Sequence, residues 1–363
     1  MKRLIALFLS ALIVLGVLAA CGDGNETSNS SAGTQSAKPV SSDAASAGSD
    51  KTDVNTDTQT PSTDAPRTYD SVMSGAEHYV GLTDQKNHRL VVYDLAVEDW
   101  SKPEAVVWEY ADERYTYHCA GIKFRHNDLL GGDVVIFCGP RGAGIVSYDT
   151  KELLFFSDDY PANPHTVELL PDGTFLCGGT QGQAIHAYNP LAGKTGRRTT
   201  RLVVPDGHGC LWDPEYELLW TAGAHNIDAY MVSGGPEKPT FTPVYKYSDL
   251  PSGIHDLAPV YGDTSKLWFT SSDGVLRLDK DSGKYDRTYP GSSYIGKQSY
   301  TPGVGNFPDG VLVWVTPNNC LQEWNTDYLS MYVKLDGIKH KKIDFKSTAD
   351  AYYKCRVWLT DYQ

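Results

Sequence analysis

Four histidines, His118, His165, His208 and His255, stand 47, 43 and 47 residues apart, and Pro302 follows after another 47. Imidazole changes charge near neutral pH, so one such side chain can serve as a general acid or base. Neutral, the set His165, His208 and His255 could share a divalent transition metal through nitrogen lone pairs. Protonated, the same rings would hold a sulfate, phosphate or carboxylate. No HxxxH or HExxH pair occurs, so any metal site must be assembled from separated segments. The competing reading is a repeat constraint, in which each imidazole hydrogen-bonds a neighbouring backbone and caps a strand.

Each histidine opens the same pattern of a short strand, a polar turn and a second apolar strand. Examples are His165-Thr-Val-Glu-Leu-Leu-Pro-Asp-Gly-Thr-Phe-Leu-Cys177 and His208-Gly-Cys-Leu-Trp-Asp-Pro-Glu-Tyr-Glu-Leu-Leu-Trp220. A third strand ends near Tyr-Asp, as in Gly144-Ile-Val-Ser-Tyr-Asp149 and Ala184-Ile-His-Ala-Tyr-Asn189, and a more polar fourth leads onward. Four strands per unit of this length is the pattern of a propeller blade. The segment 78–110 supplies three strands without a first. Tyr352-Tyr-Lys-Cys-Arg-Val-Trp-Leu359 supplies a strand without a blade, and would close the ring. The reading is an all-β, six-bladed β-propeller, with seven blades as the alternative.

Propeller geometry then gathers His118, His165, His208 and His255 around one mouth of the central channel. The loops between second and third strands open on the same face. They carry Arg141, Gln181, Gln183, His225, Asn226, Asp273 and Asn318, of which Arg141, Gln181 and His225 join the histidines as ligand-binding candidates. Tyr117 and Tyr300 are candidates to stack on a sugar ring. The eight tryptophans recur mostly within strands and read as packing between blades.

The chain also announces an address. Lys2 and Arg3 precede an apolar run from Leu4 to Leu18, and Leu18-Ala-Ala-Cys21 follows. This resembles the lipobox of bacterial lipoproteins, which implies cleavage after residue 20 and diacylation of Cys21, with palmitate-type anchoring to the outer face of a membrane. Residues 21–68 hold Ser or Thr at 17 of the positions 22–68 and no Leu, Ile or aromatic residue, which reads as a disordered stalk. The propeller is assigned to 69–363. Its share of the net charge of −13 is −11, once the +2 leader and −4 stalk are set aside. Such an acidic domain without a basic stripe is not a nucleic-acid module.

A lipobox, a Ser/Thr stalk and a repeat-built propeller resemble a family of uncharacterised bacterial lipoproteins. The phrases Pro164-His-Thr-Val-Glu-Leu-Leu-Pro-Asp-Gly173 and Ile254-His-Asp-Leu257 resemble single blades of virginiamycin B lyases, oligogalacturonate lyases and bacterial arylsulfotransferases. That resemblance implies a propeller with channel histidines and leaves chemistry open. Two functions follow as expectations. One is a membrane-tethered module binding an extracellular glycan fragment, small anion or protein. The alternative is a lyase or group transferase using the same histidines, with or without a divalent metal. Of the cysteines beyond Cys21, most lie inside apolar strands and read as buried thiols, with a Cys119–Cys138 disulfide as the alternative for that pair.

Overall fold

The structure, a computed structural model, describes residues 67–336 and 341–362. The leader, Cys21 and the stalk up to residue 66 lie outside the described residues. Within them, twenty-four strands form six four-stranded antiparallel sheets, each an up-and-down meander. The first strands of blades 2 to 6 are Gly121–Asn127, Pro164–Leu169, Gly207–Asp213, Asp256–Pro259 and Gly303–Asn306. Blade 1 takes its first strand from the other end of the chain. Tyr352–Val357 pairs antiparallel with Tyr79–Asp84, in a register that sets Val80 opposite Val357 and Leu82 opposite Cys355. The ring therefore has six blades and closes without an open edge.

Long side chains prove that the first strands face a shared narrow channel. Lys123 of blade 2 hydrogen-bonds the Cys210 carbonyl of blade 4. Lys354 of blade 1 reaches the carbonyls of His165 in blade 3 and His255 in blade 5, both at 3.3 Å. Between blades the period-2 alternation of the strands buries apolar side chains from both neighbours. Val134, Ile136 and Ile145 of blade 2 meet Val167, Leu169 and Phe175 of blade 3 in one such layer. Trp220 and Trp314 are fully buried in two others. Large side chains of this kind contribute roughly 2–3 kcal/mol each by leaving water.

The folded unit begins slightly before residue 69. The Arg67 backbone N–H donates to the Asp336 carboxylate (2.9 Å), and its guanidinium to the Lys334 carbonyl (2.9 Å). Thr68 caps a helix over Tyr69–Gly75 in a reciprocal box with Ser71. The helix buries Val72 and Met73 against blades 1 and 6. Cys119, Cys138, Cys177, Cys210 and Cys355 are buried free thiols and Cys320 is an exposed one, so Cys119 and Cys138 are not joined.

Candidate functional site

At one mouth of the channel lies a cavity of about 630 Å³. His118, His165, His208 and His255 line it, with Tyr117, Trp324 and Tyr353 among its aromatic walls. The His165 and His208 ring centroids are 4.8 Å apart, and those of His208 and His255 are 4.7 Å apart. Tyr353 flanks one end of this arc (5.8 Å from His165) and Tyr300 the other (5.5 Å from His255). Imidazoles from three consecutive blades thus touch.

A β-bulge aims two of these rings. Pro164 pairs with Gly179 and Thr166 with Gly178, so His165 is the extra residue of its strand. Gly207 pairs with Gly223 and Gly209 with Ala222, which leaves His208 extra in the same way. A bulge releases a residue from the ladder and redirects its side chain, here into the mouth. Two residues earlier the backbone is left-handed, at Asn163 (φ 56°), Asp206 (φ 52°) and Gly253 (φ 66°). That turn presents the preceding carbonyl to the ring. His165 Nδ1–H donates to the Asn163 carbonyl (2.9 Å), and His208 Nδ1–H to the Asp206 carbonyl (3.1 Å). A carbonyl can only accept, so Nδ1 carries the proton, and the neutral ring presents a lone pair at Nε2.

The electrostatics keep two of these rings neutral. Burial is the chief cause and drives the His165 pKa down to about 3, with His208 and Lys354 adding to it. Burial, then His208 and Lys354, brings His255 down to about 4. Asp206 is held below the usual carboxylate range, chiefly by its hydrogen bond to His208. Lys354 forms the floor, with its ammonium shared between the two histidine carbonyls and the Asp256 carboxylate at 3.3 Å.

The repeat reading misplaces one histidine. Strand pairing makes Gly121, Thr166, Gly209 and Asp256 equivalent, through their partners Cys138, Gly178, Ala222 and Thr270. The residue before each is Ala120, His165, His208 and His255. His118 (φ 48°) instead holds the left-handed position of Asn163 and Asp206. Its ring lies tilted against those of Tyr117 (4.4 Å) and His88 (4.9 Å). In blade 1 the bulge between Leu82 and Asp84 puts Tyr353 at the equivalent place. The six mouth positions are therefore Tyr353, Ala120, His165, His208, His255 and Pro302.

The other sequence candidates divide. Arg141 is exposed, with its guanidinium over the Tyr117 ring at 4.9 Å, and so stands beside the mouth. Gln181 and His225 are exposed loop residues outside the set that lines the cavity. Among the described residues, no three His, Cys, Asp or Glu side chains are placed to hold a metal ion together. Gln85, Asn163, Thr180, Trp324 and Tyr353 line the cavity without having been singled out in the sequence. Only Tyr353 left a signal, since it follows the repeat into the closing strand. Trp324 breaks the packing rule for tryptophans. It is 47% exposed and donates from its indole N–H to the side-chain Oε1 of Gln85 (3.0 Å).

Residues 71–359 match a family of unknown function, DUF6528. No curated protein matches the chain. Among solved structures it resembles a chain of a nidogen/laminin complex (14% identity, TM-score 0.51, covering 78% of this chain and 99% of that one). It also resembles a protein of unknown function from Bacteroides caccae (12% identity, TM-score 0.51, 77% and 98% covered). A third is a functionally unknown protein from Desulfotomaculum acetoxidans (11% identity, TM-score 0.52, 78% and 86% covered). At these identities the likeness is one of fold.

Proposed function

Because the chain belongs to the DUF6528 family, whose function is unknown, we propose one from its site: a surface-tethered module that binds a hydroxyl-rich ring, a glycan fragment, at the histidine mouth. The observation that carries this is the pair of oriented imidazoles. His165 and His208 each spend Nδ1–H on a carbonyl and offer Nε2 as an acceptor. Neutral acceptors suit O–H donors and suit an anion poorly, since an anion brings no proton to share. Tyr117, Trp324 and Tyr353 add faces on which a sugar ring stacks. The low proton affinity of His165 and His255 also makes those two rings weak general bases at neutral pH.

A saccharide array followed by calorimetry on the full chain tests the reading. His208→Ala is expected to weaken binding of any hit at least tenfold. No saccharide hit, or a hit indifferent to His208→Ala, would overturn it. Elemental analysis of the same preparation decides the metal alternative. Near-stoichiometric Mn, Zn, Ni or Fe that vanishes in the His165→Ala/His208→Ala/His255→Ala variant would turn the arc into a metal centre. The tethering half rests on the sequence of residues 1–68. Labelled palmitate incorporated into the protein but not into Cys21→Ser is the expected result.

A further inference from the structure

Deeper in the channel, below the Lys354 floor, the first strands of every blade but the third line a second and much smaller cavity of about 20 Å³. Three cations line it, Lys123, Arg125 and Arg356. The other walls include Leu211, Ala258 and Gly305, and no acidic residue is among the lining. Leu211, Ala258 and Gly305 stand level with Lys123, Glu168 and Arg356 around the ring, two residues inward from the Gly121-equivalent position. Three short or apolar side chains at that level leave a gap where three long charged ones meet.

The charges of the channel do not cancel. Lys123 and Arg125 share Glu168, with Lys123 Nζ at 3.1 Å and Arg125 at 2.7 and 2.8 Å. Lys354 and Arg356 share Asp256. All six groups are buried, so four cations face two carboxylates. Arg356 also keeps a buried Nε without a hydrogen-bond partner. An unpaired buried donor on a charged group is costly unless something accepts from it. Burial brings the Lys123 pKa down to about 8 against the pull of Glu168, and the charges of Arg125 and Arg356 add to the drop.

Residues 361 and 362, which follow the closing strand, cover the far end of the channel. The Tyr362 hydroxyl donates to the Leu169 carbonyl (2.7 Å), and Arg125 lies over the Tyr362 ring at 4.7 Å. Tyr261 donates to the Asp361 carbonyl (2.9 Å). A cavity of this size holds a single particle about as large as a water molecule. Its lining selects for negative charge, and its volume excludes a carboxylate or phosphate.

We propose that this cavity is a binding site for one monatomic anion of the halide class, held between Lys123, Arg125 and Arg356 as an internal pin of the ring. The anion halves the excess positive charge and accepts from the idle donor of Arg356. It joins blade 1, where the first and last strands pair, to blade 2.

Thermal unfolding of the full chain in chloride and in gluconate at equal ionic strength reads this out. Chloride is expected to raise Tm saturably, by about 4–8 °C at a concentration near 100 times its Kd. Lys123→Met removes one lining cation while Glu168 keeps its bidentate pair with Arg125, and should abolish most of that rise. Crystals grown in bromide should show an anomalous peak among the three cations, which tests the site even if the variant fails to fold. Equal Tm in the two salts, a chloride effect unchanged by Lys123→Met in a folded variant, or no bromide peak would each overturn the proposal; a water molecule in the cavity would give the first of these.

Discussion

Mouth and interior of the channel are built from the same strands, yet they use polar side chains for opposite ends. His165 and Glu168 are three residues apart on one strand. At the interior, Glu168 accepts from Lys123, Arg125 and two backbone N–H groups, those of Leu169 and Trp212. Arg125 and Lys123 hold its pKa at about 2 although burial pushes the other way. At the mouth, His165 makes one backbone hydrogen bond and faces a cavity. Saturated polar groups hold a ring together, whereas groups with an oriented idle atom await a partner.

The widest gap between the two regions should be in stability. Glu168→Ala leaves two buried cations without their carboxylate and is expected to cost about 3–5 kcal/mol, the range for breaking a buried pair. His165→Ala, with fewer bonds to lose, should cost no more than about 1 kcal/mol. Denaturant unfolding of both variants measures the contrast, and equal losses would break it.

Binding should invert that order. His208→Ala is expected to cost a saccharide ligand about 1.4 kcal/mol or more, a factor of ten in Kd. Residues that only close the ring should leave Kd unchanged as long as the variant folds. Lys280→Met, at the buried Asp213–Lys280 pair remote from the mouth, serves as that control by calorimetry.

The acid response sharpens the comparison further. The folded-state pKa values of His165 and His255, about 3 and about 4, lie below the ordinary value of 6.5. Between those limits the unfolded chain binds more protons than the native one, so these rings make stability fall as pH drops from about 6.5 toward 3. The loss is expected to be smaller in His165→Ala/His255→Ala, in denaturant titrations at pH 7 and pH 4.5. Ligand binding should fall as His255 takes a proton near pH 4, read by calorimetry between pH 5 and 3.5.

How much of this was legible depends on whether a feature repeats. The 43- to 47-residue spacing of the histidines and the orphan strand at 352–359 carry the blade number and the closure, because every copy repeats the same strand-turn-strand code. Bulges leave no such mark. His165 and His208 owe their aim to one extra residue in a strand, and a one-residue change of register is invisible to an alignment by eye. The channel charges were unread for a different reason. Lys123, Glu168 and Arg356 sit in three separate blades at no common sequence phrase, and only ring closure brings Arg356 to the other two. Trp324 and Gln85 meet across 239 residues, again through closure.

The smallest expected effect tests the register itself. The sequence spacing groups His118 with the other three, whereas strand pairing gives its place to Ala120 and sets His118 two residues back, against the rings of Tyr117 and His88. If pairing is the right guide, His118→Ala should change saccharide Kd by less than about threefold, well under the tenfold loss of His208→Ala. Ala120→His would then extend the arc into blade 2, next to His165, and add a fourth imidazole to the mouth. Its expected signature is a new titrating ring in histidine NMR whose pKa falls below 6.5, for the reasons of burial and like neighbours that depress His165. A His118→Ala variant that loses binding as severely as His208→Ala would favour the spacing over the pairing, and would make the mouth a ring of four.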